Sequence, residues 1–183
     1  MKKKVLLLMV AVAMIFGQLQ AQAPYKHGIG GVVGSFNGFT YKTFFTDHLA
    51  LSVDLGNSFI VTAGEYYKWV GGLSLYTLQL NPNLMYQGNF VAGLYGLVGG
   101  GVSLGWNWGP YRYIDEPRVG RRDIRQIGKF GVNAILGLEY KFNIPLALQL
   151  DFRPGYGLLF SDDKDATWNH FDWNLSLSVR YAF

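Results

Sequence analysis

The sequence predicts an all-β chain: an eight-stranded antiparallel up-and-down transmembrane β-barrel, preceded by a signal peptide. Three observations predict it. Apolar and polar residues alternate with period two along most of the chain after residue 27. Tight turn segments alternate with longer polar connections. The bulky face of the strands also carries more aromatic volume than a narrow eight-stranded interior can hold.

Composition sets the frame. A length of 183 residues suits one domain. Only 15% of residues are charged, against about 25% in an ordinary soluble domain. With 16% aromatic residues and 24 glycines, the chain is the compositional opposite of a disordered one. The absence of Cys excludes disulfides, thiolate metal sites, a cysteine nucleophile and a lipoprotein anchor. The net charge of +4 owes most of its excess to Lys2, Lys3 and Lys4; without them 13 Lys+Arg face 12 Asp+Glu. This is a targeting signal rather than a nucleic-acid footprint.

Residues 1–23 read as that signal. Lys2–Lys4 form the basic start, Val5–Phe16 the apolar stretch, and Ala21-Gln22-Ala23 the small-residue end, with cleavage after 21 or after 23. The apolar stretch is shorter than the roughly 20 residues that span a bilayer. The barrel is then expected over 24–183.

The expected strands are 27–36, 39–46, 48–61, 69–84, 89–107, 128–142, 146–160 and 170–183. The third places Leu49, Leu51, Val53 and Leu55 opposite Ala50, Ser52, Asp54 and Gly56. Phe90–Trp106 is uncharged, but its six glycines would each cost a helix about 1 kcal/mol relative to Ala. A strand tolerates them better where space is crowded. Phe130, Val132, Ala134, Leu136, Leu138, Tyr140 and Phe142 oppose Gly131, Asn133, Gly137, Glu139 and Lys141. Leu146, Leu148, Leu150 and Phe152 oppose Ala147, Gln149, Asp151 and Arg153. The last strand sets Phe171, Trp173, Leu175, Leu177, Val179, Tyr181 and Phe183 against Asp172, Asn174, Ser176, Ser178, Arg180 and Ala182. Tight turns are expected at Thr46-Asp47, Tyr86-Gln87-Gly88 and Asn143-Ile144-Pro145. Phe36-Asn37-Gly38 is a short turn at the opposite end, where the other connections are longer. With both termini in the periplasm, the tight turns fall on that side and the long loops outside.

Alternation alone fits a soluble lipocalin-like carrier as well, with its apolar face inward. Volume argues against that carrier. The rings of the last three strands would overfill the lumen, whereas Gly, Ala, Ser, Asn and a few charges would fill it well. The aromatic face is therefore expected in lipid. Aromatics near strand ends (Phe45, Tyr86, Tyr140, Phe142, Tyr181 and Phe183 at one side; Trp106, Trp108, Phe130 and Trp173 toward the other) suit two interfacial girdles.

Particular stretches carry a family likeness. They are Gly34-Ser35-Phe36-Asn37-Gly38-Phe39-Thr40-Tyr41-Lys42 with Phe44-Phe45-Thr46-Asp47, and Leu136-Gly137-Leu138-Glu139-Tyr140-Lys141-Phe142 with Ile144-Pro145. Asp151-Phe152-Arg153-Pro154 and Ser178-Val179-Arg180-Tyr181-Ala182-Phe183 complete them. On these the chain resembles the small outer-membrane β-barrel proteins of Bacteroidota-type bacteria, loosely akin to OmpX- and OmpW-like barrels. The resemblance implies an outer-membrane location, reached through the periplasm, with outer-membrane lipids and lipopolysaccharide as surroundings. It also implies that Tyr181 and Phe183 belong to the signal read by the barrel assembly machinery.

The charges expected inside the lumen are Lys42, Asp54, Glu139, Lys141, Asp151, Arg153, Asp172 and Arg180, four of each sign. A narrow interior penalises an unpaired charge, so the balance suggests a paired network that plugs the barrel; a narrow selective pore is the alternative. Arg112, Arg118, Arg121, Arg122 and Arg125 are concentrated in one long connection and are candidates for contact with lipopolysaccharide or an extracellular partner.

No cofactor, metal or catalytic site is expected. Asp163-Lys164-Asp165 lacks the Gly and distal Glu of a calcium loop. Gly28–Gly34 does not have the phosphate-loop spacing and no helix follows it. Of the three histidines only His170, with Asp172 and Ser161, falls near the outer rim, without the His-x-Ser arrangement of lipid A deacylase barrels. The expected role is non-catalytic, in envelope structure or surface interaction. A channel for small or hydrophobic solutes and a lipid A-modifying enzyme are the alternatives.

Overall fold

A computed structural model describes residues 23–58, 76–111, 123–161 and 167–183. Among them, eight antiparallel strands close into one barrel in sequence order. They are β1 (His27–Gly34), β2 (Phe36–Phe44), β3 (Leu49–Ser58) and β4 (Tyr76–Val91), followed by β5 (Leu94–Tyr111), β6 (Asp123–Lys141), β7 (Leu146–Ser161) and β8 (Thr167–Ala182). Closure is made by β1 on β8, from Gly28 opposite Ala182 to Gly34 opposite Ser176. Pairing each strand with both neighbours leaves no open sheet edge, the condition for a sheet in hydrocarbon.

The turns explain where each strand stops. At Phe45–His48 the Thr46 hydroxyl accepts from the N–H groups of His48 (3.3 Å) and Leu49 (3.0 Å). Between β6 and β7, the Phe142 N–H donates to the Leu146 carbonyl at 3.0 Å. Between β1 and β2 the Asn37 amide brackets Gly34, accepting from its N–H at 3.2 Å and donating to its carbonyl at 2.9 Å.

Two expected turns are corrected. Tyr86-Gln87-Gly88 lies within β4, and the chain reverses at Ala92-Gly93, where Gly93 has φ +80°. The irregularity between Asn89 and Val91 interrupts the alternation just before that reversal. Phe36-Asn37-Gly38 likewise opens β2, paired with Ser58, Asn57 and Gly56; the reversal comes earlier because Asn37 holds Gly34. The expected stretches 59–61 and 69–75 fall outside the described residues, and β6 and β8 start earlier than expected, at Asp123 and Thr167.

One end of the barrel carries only the short links 45–48, 92–93 and 142–145, while 59–75, 112–122 and 162–166 leave from the other. We call these the tight-turn end and the long-connection end. The wall is apolar on its outside. Phe39, Leu136, Phe152 and Trp173 all point outward, with Phe39 76% exposed. Polar side chains occupy the inside: Lys42, Asp54, Glu139 and Arg180 are fully buried.

Candidate functional site

The polar network of the interior is built from alternate residues of six strands. Period two sends Thr40 and Lys42 of β2, Ser52 and Asp54 of β3, and Asn83 and Gln87 of β4 inward. Glu139 of β6, Gln149, Asp151 and Arg153 of β7, and Arg180 of β8 meet them there. The inward positions of β1 and β5 include Gly28, Gly30, Gly99 and Gly101, which take up little of the space the long polar side chains need.

Two charged groups share this space. In the first, Lys42 Nζ donates to Glu139 Oε2 (2.9 Å), Gln87 Oε1 (2.5 Å) and Gln149 Oε1 (3.2 Å). Gln87 Nε2 donates to the other oxygen of Glu139 at 2.8 Å. Arg180 lies 3.5 Å from Glu139 and also donates to Thr40 and Gln149. In the second, Arg153 grips both oxygens of Asp151 through Nε (2.5 Å) and Nη2 (3.2 Å), and its Nη1 reaches Asp54 Oδ2 at 2.5 Å. Ser52 and Asn83 also donate to Asp54. Gln149 joins the two groups, accepting from Lys42 and Arg180 and donating to Asp151 at 2.7 Å. Such charge-assisted bonds in a low dielectric hold side chains rigidly, and removing one partner strands the other.

Six of the eight charges singled out in the sequence therefore meet: Lys42, Asp54, Glu139, Asp151, Arg153 and Arg180. Asp172 lies apart, ion-paired with Lys129 of β6, a residue the sequence reading passed over. Lys141 is a correction. It sits at the end of β6, and its ammonium donates to the carbonyls of Phe142 (2.6 Å) and Ile144 (2.8 Å), tying down the turn. Its parity is that of Glu139, but the strand ends there, so the side chain finds turn carbonyls instead of the lumen. With Lys129 replacing it, the described interior charges are four cations and four anions.

Sequence reasoning also missed the uncharged members, Gln87 and Gln149 above all, and Tyr25, which precedes β1. Gln87 was hidden by the misplaced turn. Gln149 was visible as an inward residue but gave no signal that it bridges two ion pairs. Apolar side chains complete the filling: Met85, Leu97 and Ile135 form one cluster, and Tyr25, Phe44, Ala50, Ala147 and Ala182 another at the tight-turn end.

Among the other candidates, Arg112, Arg118, Arg121 and Arg122 lie outside the described residues; Arg125 belongs to β6, opposite Gly109 of β5. His170 pairs with Gly157 in the β7–β8 ladder. Tyr181 and Phe183 are exposed on the outer surface, their ring centroids 6.1 Å apart.

Fold and interior together define a closed eight-stranded barrel with an apolar exterior and an ion-paired core. No protein-family model matches the chain, and neither does any curated protein sequence. Among solved structures it is similar to Neisserial surface protein A, with 15% identity over 86% of this chain and 93% of that one and a TM-score of 0.52. A major outer membrane protein from Thermus thermophilus also aligns, at 13% identity, 86% and 98% coverage and a TM-score of 0.44. The first likeness is one of fold.

Proposed function

We propose that the chain is a non-catalytic integral outer-membrane barrel, its lumen plugged by the ion-pair network, that serves envelope structure or surface interaction through its long connections. The inversion of the wall carries this reading: large apolar side chains cover the outside while ionised groups are buried within. A water-soluble barrel would gain nothing from exposing Phe39, Phe152 and Trp173 and would lose the hydrophobic burial that stabilises it. The girdles support the same reading, with Tyr181 and Phe183 at the tight-turn end and Trp106, Phe130 and Trp173 toward the other, all outward and exposed. The tight-turn end would face the periplasm and the long connections the outside, the asymmetry of outer-membrane barrels.

Refolded protein should float with lipid vesicles and resist carbonate extraction. In a planar bilayer it should pass no steady unitary current; such a current would replace the plug with a narrow pore. The five arginines Arg112, Arg118, Arg121, Arg122 and Arg125 extend the proposal to lipopolysaccharide phosphates. Exchanging all five for Ser should weaken lipopolysaccharide binding at low salt, and unchanged binding would remove that part.

A further inference from the structure

We propose that Tyr25 is a removable stopper: its ring fills a socket at the tight-turn end shaped for one hydroxylated aromatic ring, and its withdrawal opens the ion-paired interior from that end. The inference rests on the membrane-barrel reading and adds a moving part to it.

Tyr25 precedes β1, and the ladder on this side starts one residue later, where the Phe44 N–H donates to the Lys26 carbonyl at 3.0 Å. Tyr25 is nevertheless only 9% exposed. It meets Phe44 edge to face, with centroids 5.2 Å apart and planes at 87°. Around it stand Ala50 of β3, Ala147 of β7 and Ala182 of β8, with Ala23 packed against the cluster. A Cβ on Gly28 would lie 3.0 Å from Tyr25 Cε2, so even the first strand is cut back to admit the ring. Four strands thus leave room for a side chain that none of them supplies.

The inner end of the socket is polar. Tyr25 Oη donates to Glu139 Oε2 at 3.0 Å, and Lys42 Nζ lies 5.9 Å from the ring centroid. Glu139 already has Lys42 at 2.9 Å and Arg180 at 3.5 Å. The hydroxyl therefore adds a hydrogen bond but no charge. When it leaves, every ion pair keeps its partner, and the Glu139 oxygen it served can turn to water. A contact that strands no charge on breaking suits a gate; the ion pairs behind it do not.

The lack of Cys makes one engineered thiol a unique reporter. Ala147 is fully buried on the inward face of β7 and belongs to the same cluster as Tyr25, on the socket side of Gln149. Ala147→Cys therefore removes no side-chain hydrogen bond and sets the thiol under the stopper rather than behind the ion pairs. Full-length A147C protein, refolded in phosphatidylcholine vesicles, is alkylated with iodoacetamide with and without Tyr25→Ala. The stopper requires alkylation about tenfold faster in Y25A, as local opening is replaced by a standing path. Millimolar p-cresol, the free tyrosine side chain, should slow alkylation again in Y25A and leave the parent unaffected. Equal rates in floated, β-structured protein would overturn the stopper, as would an acceleration that p-cresol leaves untouched. Should Y25A fail to fold, Tyr25→Leu retains apolar volume without ring or hydroxyl and must also react faster; an unchanged rate there counts equally against the proposal. Failure of the parent to float would instead defeat the membrane reading.

Discussion

At the scale of single residues, the ion pairs are unequal, although they look alike in charge. Lys42 and Arg180 both lean on Glu139, so Glu139→Gln takes the nearest counter-ion from two buried cations. We expect a loss of about 3–5 kcal/mol in urea unfolding from vesicles, the range for a broken buried pair. Lys42→Met leaves Glu139 with Arg180 still 3.5 Å away, so its loss should be smaller, about 1–3 kcal/mol. A larger loss for K42M than for E139Q would mean that Arg180 does not share the carboxylate. Parity in the sequence put the six charges of the network together on one side, but it also put Lys141 there, and Lys129 was passed over. Nor did parity show who meets whom: partners depend on strand register and tilt, which place Arg153 beside Asp54, 99 positions away. Lys141 and Lys129 share the inward parity of Glu139, yet one ties down a turn and the other pairs with Asp172. Distance along the strand from the barrel mouth separates their roles, and a pattern of period two carries no such coordinate.

At the scale of elements, strands were legible where alternation is unbroken and turns are marked by Pro or Asp. β3, β6, β7 and β8 were found with shifted ends, and the two turns at Thr46-Asp47 and Asn143-Ile144-Pro145 stand where the sequence puts them. The β4–β5 hairpin was not legible in the same way. Tyr86-Gln87-Gly88 has a turn-like composition, yet Gln87 is needed inside by Lys42 and Glu139, which keeps the strand running. The Phe90 ring then lies over Gly96 on the neighbouring strand, in the space a Cβ there would take, at the bulge where parity is lost. The true reversal depends on one residue. Gly93 has φ +80° and a Cβ there would come within 2.9 Å of the Lys141 carbonyl oxygen. Gly93→Ala should cost about 1–2 kcal/mol from backbone strain, measured by the same unfolding titration, and Gly93→Asn should cost less. If Ala were neutral there, the turn would have to be held by the ladder rather than by its glycine.

At the scale of the whole molecule, the fold was the most legible feature, because volume and parity act on every strand together and one misplaced turn cannot overturn them. The same argument yields the sharpest test of surroundings. Leu136 lies outward and is 54% exposed, midway along β6 between Phe130 and Tyr140; Ile144 is 59% exposed in the β6–β7 turn. In water, two such exposed positions respond alike, and Arg at either costs within about 0.5 kcal/mol of nothing. In a bilayer they differ by depth. Leu136→Arg should cost about 2–4 kcal/mol, falling to about 0–1 kcal/mol for Ile144→Arg near the interface. The gradient discriminates better than either value, since a guanidinium that disturbed packing without lipid would show no dependence on height. Equal and small losses at both positions, measured in vesicles, would mean that the exposed apolar face does not lie against acyl chains. The ion-paired interior would then belong to a barrel in some other setting, with its outside covered by something other than lipid.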